Sequence, residues 1–196
     1  MPKSVLPQTL AILVAALGLL AAMPHLHAAL SSGGFYGLRT DLAVPPLAGA
    51  AAPDAGLNVV FFGYRHCDSV CPAQLGNLKR LQQRMTNEPV RFVFVTLDPD
   101  RDRQGDLEQL IARLGPQFAA VRPQTTREAQ ALALAYGGSA HATSRNEDYD
   151  IRHAGHLYVV NGDTRKQLTY TSRNLDLDRV YQDLRRLLAR HSTESQ

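Results

Sequence analysis

Cys67 and Cys71 are the two cysteines of this chain, and three residues separate them. They follow a continuous apolar run typical of a central strand and precede a helical pattern, so we expect them at a strand-to-helix junction. Because a helix N-terminus favours the thiolate, we expect both thiols to be unusually acidic. Two such sulfurs predict either redox chemistry or the binding of a soft metal ion.

The spacing of the two cysteines argues against a purely structural role. A disulfide closing a five-residue loop would gain only about 2 kcal/mol of stability. A structural zinc site would need four ligands, and the chain has no second cysteine pair. Two thiolates with one imidazole suit Cu(I), and Cu(II) can use the same three ligands. The pattern therefore favours copper over zinc.

The chain has seven histidines that could supply the imidazole. Five of them are weak candidates because they lie near a terminus, directly before the first cysteine or in a polar segment: His25, His27, His66, His141 and His191. His153 and His156 remain, three residues apart on a predicted strand, where they would point to opposite faces. From residue type alone, both are candidate ligands.

Apolar runs and helical stripes alternate along the chain. Strands are predicted at 34–38, 57–62, 90–97, 118–121, 151–160 and 166–170, and helices at 72–86, 102–114, 129–136 and 177–190. The last two strands flank Asn161-Gly162, a strong hairpin signal. This order predicts an α/β fold with a central mixed β-sheet, helices on both faces, and a C-terminal β-hairpin and helix. That arrangement is thioredoxin-like.

The N-terminal residues have the composition of a targeting segment. Lys3 precedes an uncharged apolar stretch at 10–23, which is typical of an export signal. The stretch falls short of the ~20 residues that cross a bilayer, but adding 5–9 would make a single-span anchor. We expect an export signal or anchor at 1–30. A linker with an entry strand at 31–55, the domain itself at 56–190 and a tail at 191–196 would follow.

The charge of the chain excludes one class of partner. The formal net charge is +3, from 21 basic and 18 acidic residues, and the basic residues are scattered among the acidic ones. We therefore expect no nucleic-acid partner. Export would place the two cysteines in the oxidising periplasm. The protein would be either unattached in that compartment or anchored to the inner membrane.

Three segments together resemble the Sco/SenC family. They are the cysteine segment at 61–72, the Thr-Leu-Asp-Pro-Asp-Arg-Asp segment at 96–102, and His153 four residues before Leu157-Tyr158. Proteins of that family are exported or membrane-anchored, thioredoxin-like copper chaperones for the CuA site of cytochrome c oxidase. The resemblance covers about residues 35–188.

The resemblance implies a ligand set for the site. It implies that Cys67, Cys71 and His153 bind one copper ion, as Cu(I) or Cu(II). His156, the second histidine near this position, is the fallback ligand. Asp98 would lie near the site and orient a ligand rather than bind the metal. Two residues depart from the family pattern: Arg65 stands in place of the usual threonine, and Asp68 in place of the usual proline. Arg65 would acidify the thiols further, whereas Asp68 would oppose this effect.

The implied function is that of a metallochaperone rather than an enzyme. It would deliver copper to cytochrome c oxidase subunit II or another copper-accepting protein, and a copper donor or thiol-reductant protein would be a further partner. The alternative is an exported thiol-disulfide oxidoreductase with Cys67 and Cys71 as its catalytic pair. Two features weigh against it: the three-residue spacing, and the lack of a proline after Pro123 to serve as the cis-proline of such enzymes. One dithiol could perform both roles.

Overall fold

The computed structural model describes residue 18 and residues 34–53, 56–67, 71–143 and 149–194. The chain divides into two compact units, Met1–Phe35 and Tyr36–Gln196. In the first unit only Gly18, Gly34 and Phe35 are described, so the predicted export or anchor segment at 1–30 lies almost wholly outside the described residues. Among the residues described, no helix has the length and apolar character needed to cross a membrane.

The central sheet of the second unit has six strands and mixed direction. Its order is β1-β8-β7-β2-β3-β4, with β2, β3 and β4 parallel to one another and the remaining pairs antiparallel. Strands β5 and β6 form a separate two-stranded antiparallel sheet. The strands are β1 (Leu38–Ala43), β2 (Leu57–Gly63), β3 (Val90–Thr96), β4 (Phe118–Val121), β5 (Ala140–Ala142), β6 (Ile151–His153), β7 (Leu157–Asn161) and β8 (Arg165–Tyr170).

Four helices are described beside these strands. They are α1 (Cys71–Arg84), α2 (Gln104–Leu114), α3 (Thr126–Ala135) and α4 (Leu177–Glu194). Helix α1 buries Leu78 and Leu81 and packs against α4. Helix α3 begins with an N-cap at Thr125, whose side chain accepts a hydrogen bond from the backbone N–H of Glu128.

The core is centred on β2 and β3. Every residue of β2 is buried, which requires cover on both faces of the sheet. Phe61 on β2 and Phe94 on β3 pack with ring centroids 6.1 Å apart. The carboxyl ends of these parallel strands are joined where the backbone N–H of Leu97 donates to the carbonyl of Gly63 at 2.8 Å. The predicted α/β architecture, with its C-terminal hairpin and helix, is confirmed.

Two predicted strands are wrong in position. The strand expected at 34–38 instead begins at Leu38 and ends at Ala43. It is an edge strand whose residues are largely exposed, so no apolar pattern marks it. The single strand expected at 151–160 is two strands, β6 and β7, which belong to different sheets and are separated by residues 154–156.

Candidate metal centre

The two cysteines lie at the carboxyl edge of the central sheet. Cys67 is in the loop after β2, and Cys71 is the first residue of α1. Both side chains are buried, at 5% and 3% exposure, and the two cysteines are reduced, with no disulfide between them. The backbone N–H of Cys67 donates to the carbonyl of Tyr64 at 3.3 Å, which turns the loop back toward the strand. Asp68 lies outside the described residues, so its predicted electrostatic effect stays a prediction.

His153 brings an imidazole to the cysteines from a distant part of the chain. Its Nε2 atom lies 3.6 Å from Cys67 Sγ and 3.6 Å from Cys71 Sγ. The three ligand atoms all lie within 4.8 Å of one another. Within the described part of the chain, they form a group that could hold a metal ion. His153 Nδ1 lies 3.2 Å from the carbonyl oxygen of Ala154. A proton on Nδ1 would donate to that oxygen and leave the Nε2 lone pair for a metal.

The two sulfur–nitrogen separations fit a metal ion that is bound by His153 and either sulfur. Protein-bound zinc has bonds of about 2.3 Å to sulfur and about 2.0 Å to nitrogen. With bonds of that length, a sulfur–nitrogen separation of 3.6 Å corresponds to an angle of about 110° at the ion. That angle lies close to trigonal and tetrahedral geometry, so His153 can share an ion with either sulfur without rearrangement.

The thiol of Cys71 is less acidic than predicted. Burial raises its pKa well above the ordinary value, and a hydrogen bond with the Cys67 thiol raises it further. The expectation that both thiols are unusually acidic is therefore wrong for Cys71 in the metal-free protein, because desolvation of the buried thiol raises its pKa despite a backbone hydrogen bond that lowers it. A bound cation would supply the charge that stabilises the thiolate.

Four other histidines of the described part of the chain lie outside the Cys67–Cys71–His153 group: His66, His141, His156 and His191. His156, the fallback ligand, is in the break between β6 and β7, with Nδ1 3.4 Å from the Tyr158 hydroxyl. Burial and the nearby Lys166 lower the pKa of His156. His66 is exposed, and His141 is exposed on β5.

Asp98 is buried at the end of β3, but its carboxylate is bonded elsewhere. Its Oδ1 accepts from the Tyr149 hydroxyl at 2.5 Å, and its Oδ2 accepts from Arg101 Nε at 2.5 Å. Its link to the three candidate ligands is therefore indirect, through the segment that runs from Tyr149 to His153. The predicted ligand-orienting role of Asp98 stays a prediction.

Asp102 holds the cysteine loop, a role that was not predicted from the sequence. This carboxylate is fully buried. It accepts from the Thr96 hydroxyl at 2.6 Å and from the backbone N–H of Arg65 at 3.1 Å. Burial raises its pKa, while these two hydrogen bonds oppose the rise. Asp102 lies in the segment that carries the family resemblance, but nothing in its spacing signals that it is buried beneath the loop.

Tyr64 and Gln74 were also missed, and both contact the segment that carries His153. The Tyr64 hydroxyl donates to Asp150 Oδ1 and accepts from the backbone N–H of Ile151 at 3.3 Å. The hydrogen bond from the Tyr64 hydroxyl holds the pKa of Asp150 below its usual value. Gln74, fully buried on α1, donates through Nε2 to the carbonyl of Gly155 at 2.5 Å. No local sequence pattern predicts contacts between residues that lie so far apart in the chain.

Comparisons with known proteins agree with this architecture. The sequence model of the SCO1/SenC family matches residues 48–189. "Protein SCO2 homolog, mitochondrial" of Mus musculus is 26% identical over 138 residues, which cover 67% of this chain and 53% of the relative. The chain thus spans about half the length of the curated relatives it matches.

Solved structures show the same fold. The Arabidopsis thaliana ScoI structure with copper bound has a TM-score of 0.63 at 18% identity, covering 78% of this chain and 98% of that one. BsSco is described as a member of the Sco family of cytochrome c oxidase assembly proteins. Its structure has a TM-score of 0.62 at 17% identity, and the match covers 78% of this chain and 97% of that one. The predicted thioredoxin-like fold is confirmed, and the chain belongs to the SCO1/SenC family.

Proposed function

We propose that Cys67, Cys71 and His153 bind one copper ion and that the protein is a copper chaperone. The observation that carries this proposal is the position of His153 Nε2, 3.6 Å from each of the two sulfurs. Two thiolates and an imidazole form a soft donor set that suits copper in both oxidation states. The copper bound in the solved A. thaliana relative supports the choice of metal.

The proposed chaperone passes its copper to a partner by ligand exchange. Three protein ligands leave a coordination position that an incoming cysteine of the partner can occupy. The partner then displaces the protein ligands one after another, so the ion is never released to solvent. Because the Cys71 thiol keeps its proton in the metal-free protein, copper binding releases that proton.

The proposed acceptor is subunit II of cytochrome c oxidase or another copper-accepting protein. Family membership and the description of BsSco as an oxidase assembly protein support this acceptor. The proposed site of action is the periplasm, with residues 1–30 as export signal or inner-membrane anchor. Before it carries copper, the same dithiol could also reduce a disulfide between the acceptor's cysteines. Cys67 and Cys71 would then form a disulfide, which a thiol-reductant partner would have to reduce before copper is bound.

Copper titration of two matched histidine variants tests the ligand set. Wild type is expected to bind one copper ion per chain. His153→Ala should lose Cu(II) binding, whereas His156→Ala should retain it, because His156 lies outside the ligand group. The matched pair separates ligation from the general effect of removing a half-buried imidazole. A His153→Ala protein that binds Cu(II) as wild type does would refute the proposed site.

A second measurement separates the chaperone from an oxidoreductase. His153→Ala keeps both thiols, so its rate of disulfide reduction should remain near that of wild type. A chaperone with this substitution should fail to support oxidase assembly in cells, whereas a pure reductase should still support it. Normal assembly with His153→Ala would therefore favour the oxidoreductase.

A further inference from the structure

His153 is carried by an element too small to hold it in place alone. Strand β6 (Ile151–His153) has three residues and, within the described part of the chain, pairs with one strand, β5 (Ala140–Ala142). The two form their own sheet, apart from the six-stranded sheet that carries the cysteine loop. Isolated two-stranded sheets are at best marginally stable in water. The position of His153 at the sulfurs therefore depends on contacts with other elements.

Tyr64 makes such contacts at three points along the His153 segment. Its hydroxyl donates to the side chain of Asp150 and accepts from the backbone N–H of Ile151 at 3.3 Å. Its ring meets the His153 ring edge-on, with centroids 5.8 Å apart. One side chain, itself 2% exposed, thus contacts three of the four residues that end at the candidate ligand.

The backbone of Tyr64 contacts the other half of the site. Its carbonyl accepts from the backbone N–H of Cys67 at 3.3 Å. Tyr64 also directly follows the last residue of β2, so the central sheet fixes its position. One residue therefore connects the cysteine loop to the histidine strand, independently of any metal ion.

We propose that Tyr64 is a positioning residue that holds His153 at the two sulfurs and thereby sets the affinity for Cu(II) relative to Cu(I). This inference rests on the proposed function, because it assumes that His153 binds copper. Cu(I) is satisfied by soft thiolate ligands, whereas Cu(II) gains more from the imidazole. Loosening His153 should therefore weaken Cu(II) binding selectively, and residues behind metal ligands commonly change metal affinity by about 10–100-fold.

Tyr64→Phe tests the inference, because it removes the hydroxyl and keeps the ring against His153. We expect Cu(II) affinity to fall by about tenfold or more and the thiolate-to-Cu(II) absorption bands to shift. Cu(I) affinity, measured by competition with a Cu(I) chelator, should change less than about threefold, since both thiolates remain. In the metal-free protein, the amides of 151–153 should exchange faster with deuterated water.

Three further variants show whether the hydroxyl acts through its bond to the His153 segment. Asp150→Ala removes the acceptor and should weaken Cu(II) binding, whereas Asp150→Asn keeps an acceptor oxygen and should restore most of it. Tyr136→Phe is the matched control. It also removes a buried tyrosine hydroxyl, one that donates to the carbonyl of Pro45 at 3.0 Å, and it should leave Cu(II) binding unchanged.

The outcomes separate this inference from the proposed function. A wild-type protein that binds Cu(II) and a Tyr64→Phe protein that binds it equally well would overturn the inference alone. Equal losses in Tyr64→Phe and Tyr136→Phe would also overturn it, because they would reflect general destabilisation. A wild-type protein that binds no copper would overturn the proposed function together with the inference.

Discussion

Gly63 leaves the space that the thiol of Cys71 occupies. A Cβ atom built on Gly63 would lie 2.9 Å from Cys71 Sγ and 3.0 Å from ring carbons of both Phe61 and Phe94. Contacts this short force atoms to move, and the two rings belong to the tightly packed core of the sheet. The last residue of β2 must therefore lack a side chain if Cys71 is to reach its position beside His153.

Gly63→Ala is expected to destabilise the protein by about 1–3 kcal/mol, the usual cost of overpacking, and to weaken copper binding by displacing Sγ. Urea unfolding of the metal-free protein and a Cu(I) competition assay measure the two effects. Gly76→Ala on helix α1 is the matched control, because outside the neighbouring residues and backbone of its own helix the added methyl would meet Arg80 Nη2 at 4.0 Å. That variant should gain about 0.5–1 kcal/mol. Equal stability of the two variants would contradict the steric argument.

The alternation of strands and helices was predictable because each buried element carries its own apolar period. Strand β2 is buried at every position, and a continuous apolar run marks it. The predicted position of strand β1 was wrong because its pairing with β8 depends on tertiary contacts and not on a pattern of apolar residues. The break between His153 and Leu157 was missed because apolar residues continue on both sides of it.

The candidate ligands were predictable to different degrees. Spacing and position along the chain identified Cys67 and Cys71, whereas only the family resemblance separated His153 from His156. The supporting residues Tyr64 and Asp102 could not be predicted, since each acts through contacts that exist only in the folded chain. A tyrosine after a strand and an aspartate before a helix are ordinary in any sequence.

Asp102→Ala is expected to cost about 1–3 kcal/mol, because it leaves the Thr96 hydroxyl and the Arg65 backbone N–H without their acceptor. The loop that carries Cys67 should loosen, which amide exchange at 64–67 would detect. Asp106→Ala is the matched control, since it removes a partly exposed carboxylate 3.0 Å from the Arg65 side chain. Ion pairs of that kind contribute at most about 1 kcal/mol. Similar losses in the two variants would argue against a special role for the buried carboxylate.

Gln74→Met should destabilise the turn after His153. The substitution nearly conserves volume, but it removes the amide that donates to the Gly155 carbonyl and accepts from Asn77 Nδ2 at 2.9 Å. We expect a loss of about 1–3 kcal/mol from the unsatisfied buried groups and faster amide exchange at 154–156. Gln83→Met, at an exposed position of the same helix, should change stability by less than about 0.5 kcal/mol. If exchange at 154–156 were the same in both variants, helix α1 would not be fixing the turn.

The buried Cys71 thiol should make the metal-free protein less stable at alkaline pH. In the unfolded chain this thiol ionises near its ordinary pKa of 9.0, whereas burial raises its pKa in the folded protein. Above pH 9 the folded state therefore binds more protons than the unfolded state, and stability falls as pH rises. Below pH 9 the contribution of the thiol is fully present.

Comparison of wild type with Cys71→Ser isolates this contribution. Between pH 9 and pH 10, wild type should lose about 1 kcal/mol more than the variant, as measured by urea unfolding in the presence of reductant. The buried tyrosines Tyr136, Tyr158 and Tyr170 also have raised pKa values, but their unfolded forms ionise only near pH 10 and above. Parallel stability curves for the two proteins across this interval would show that the folded state stabilises the Cys71 thiolate even without a metal ion.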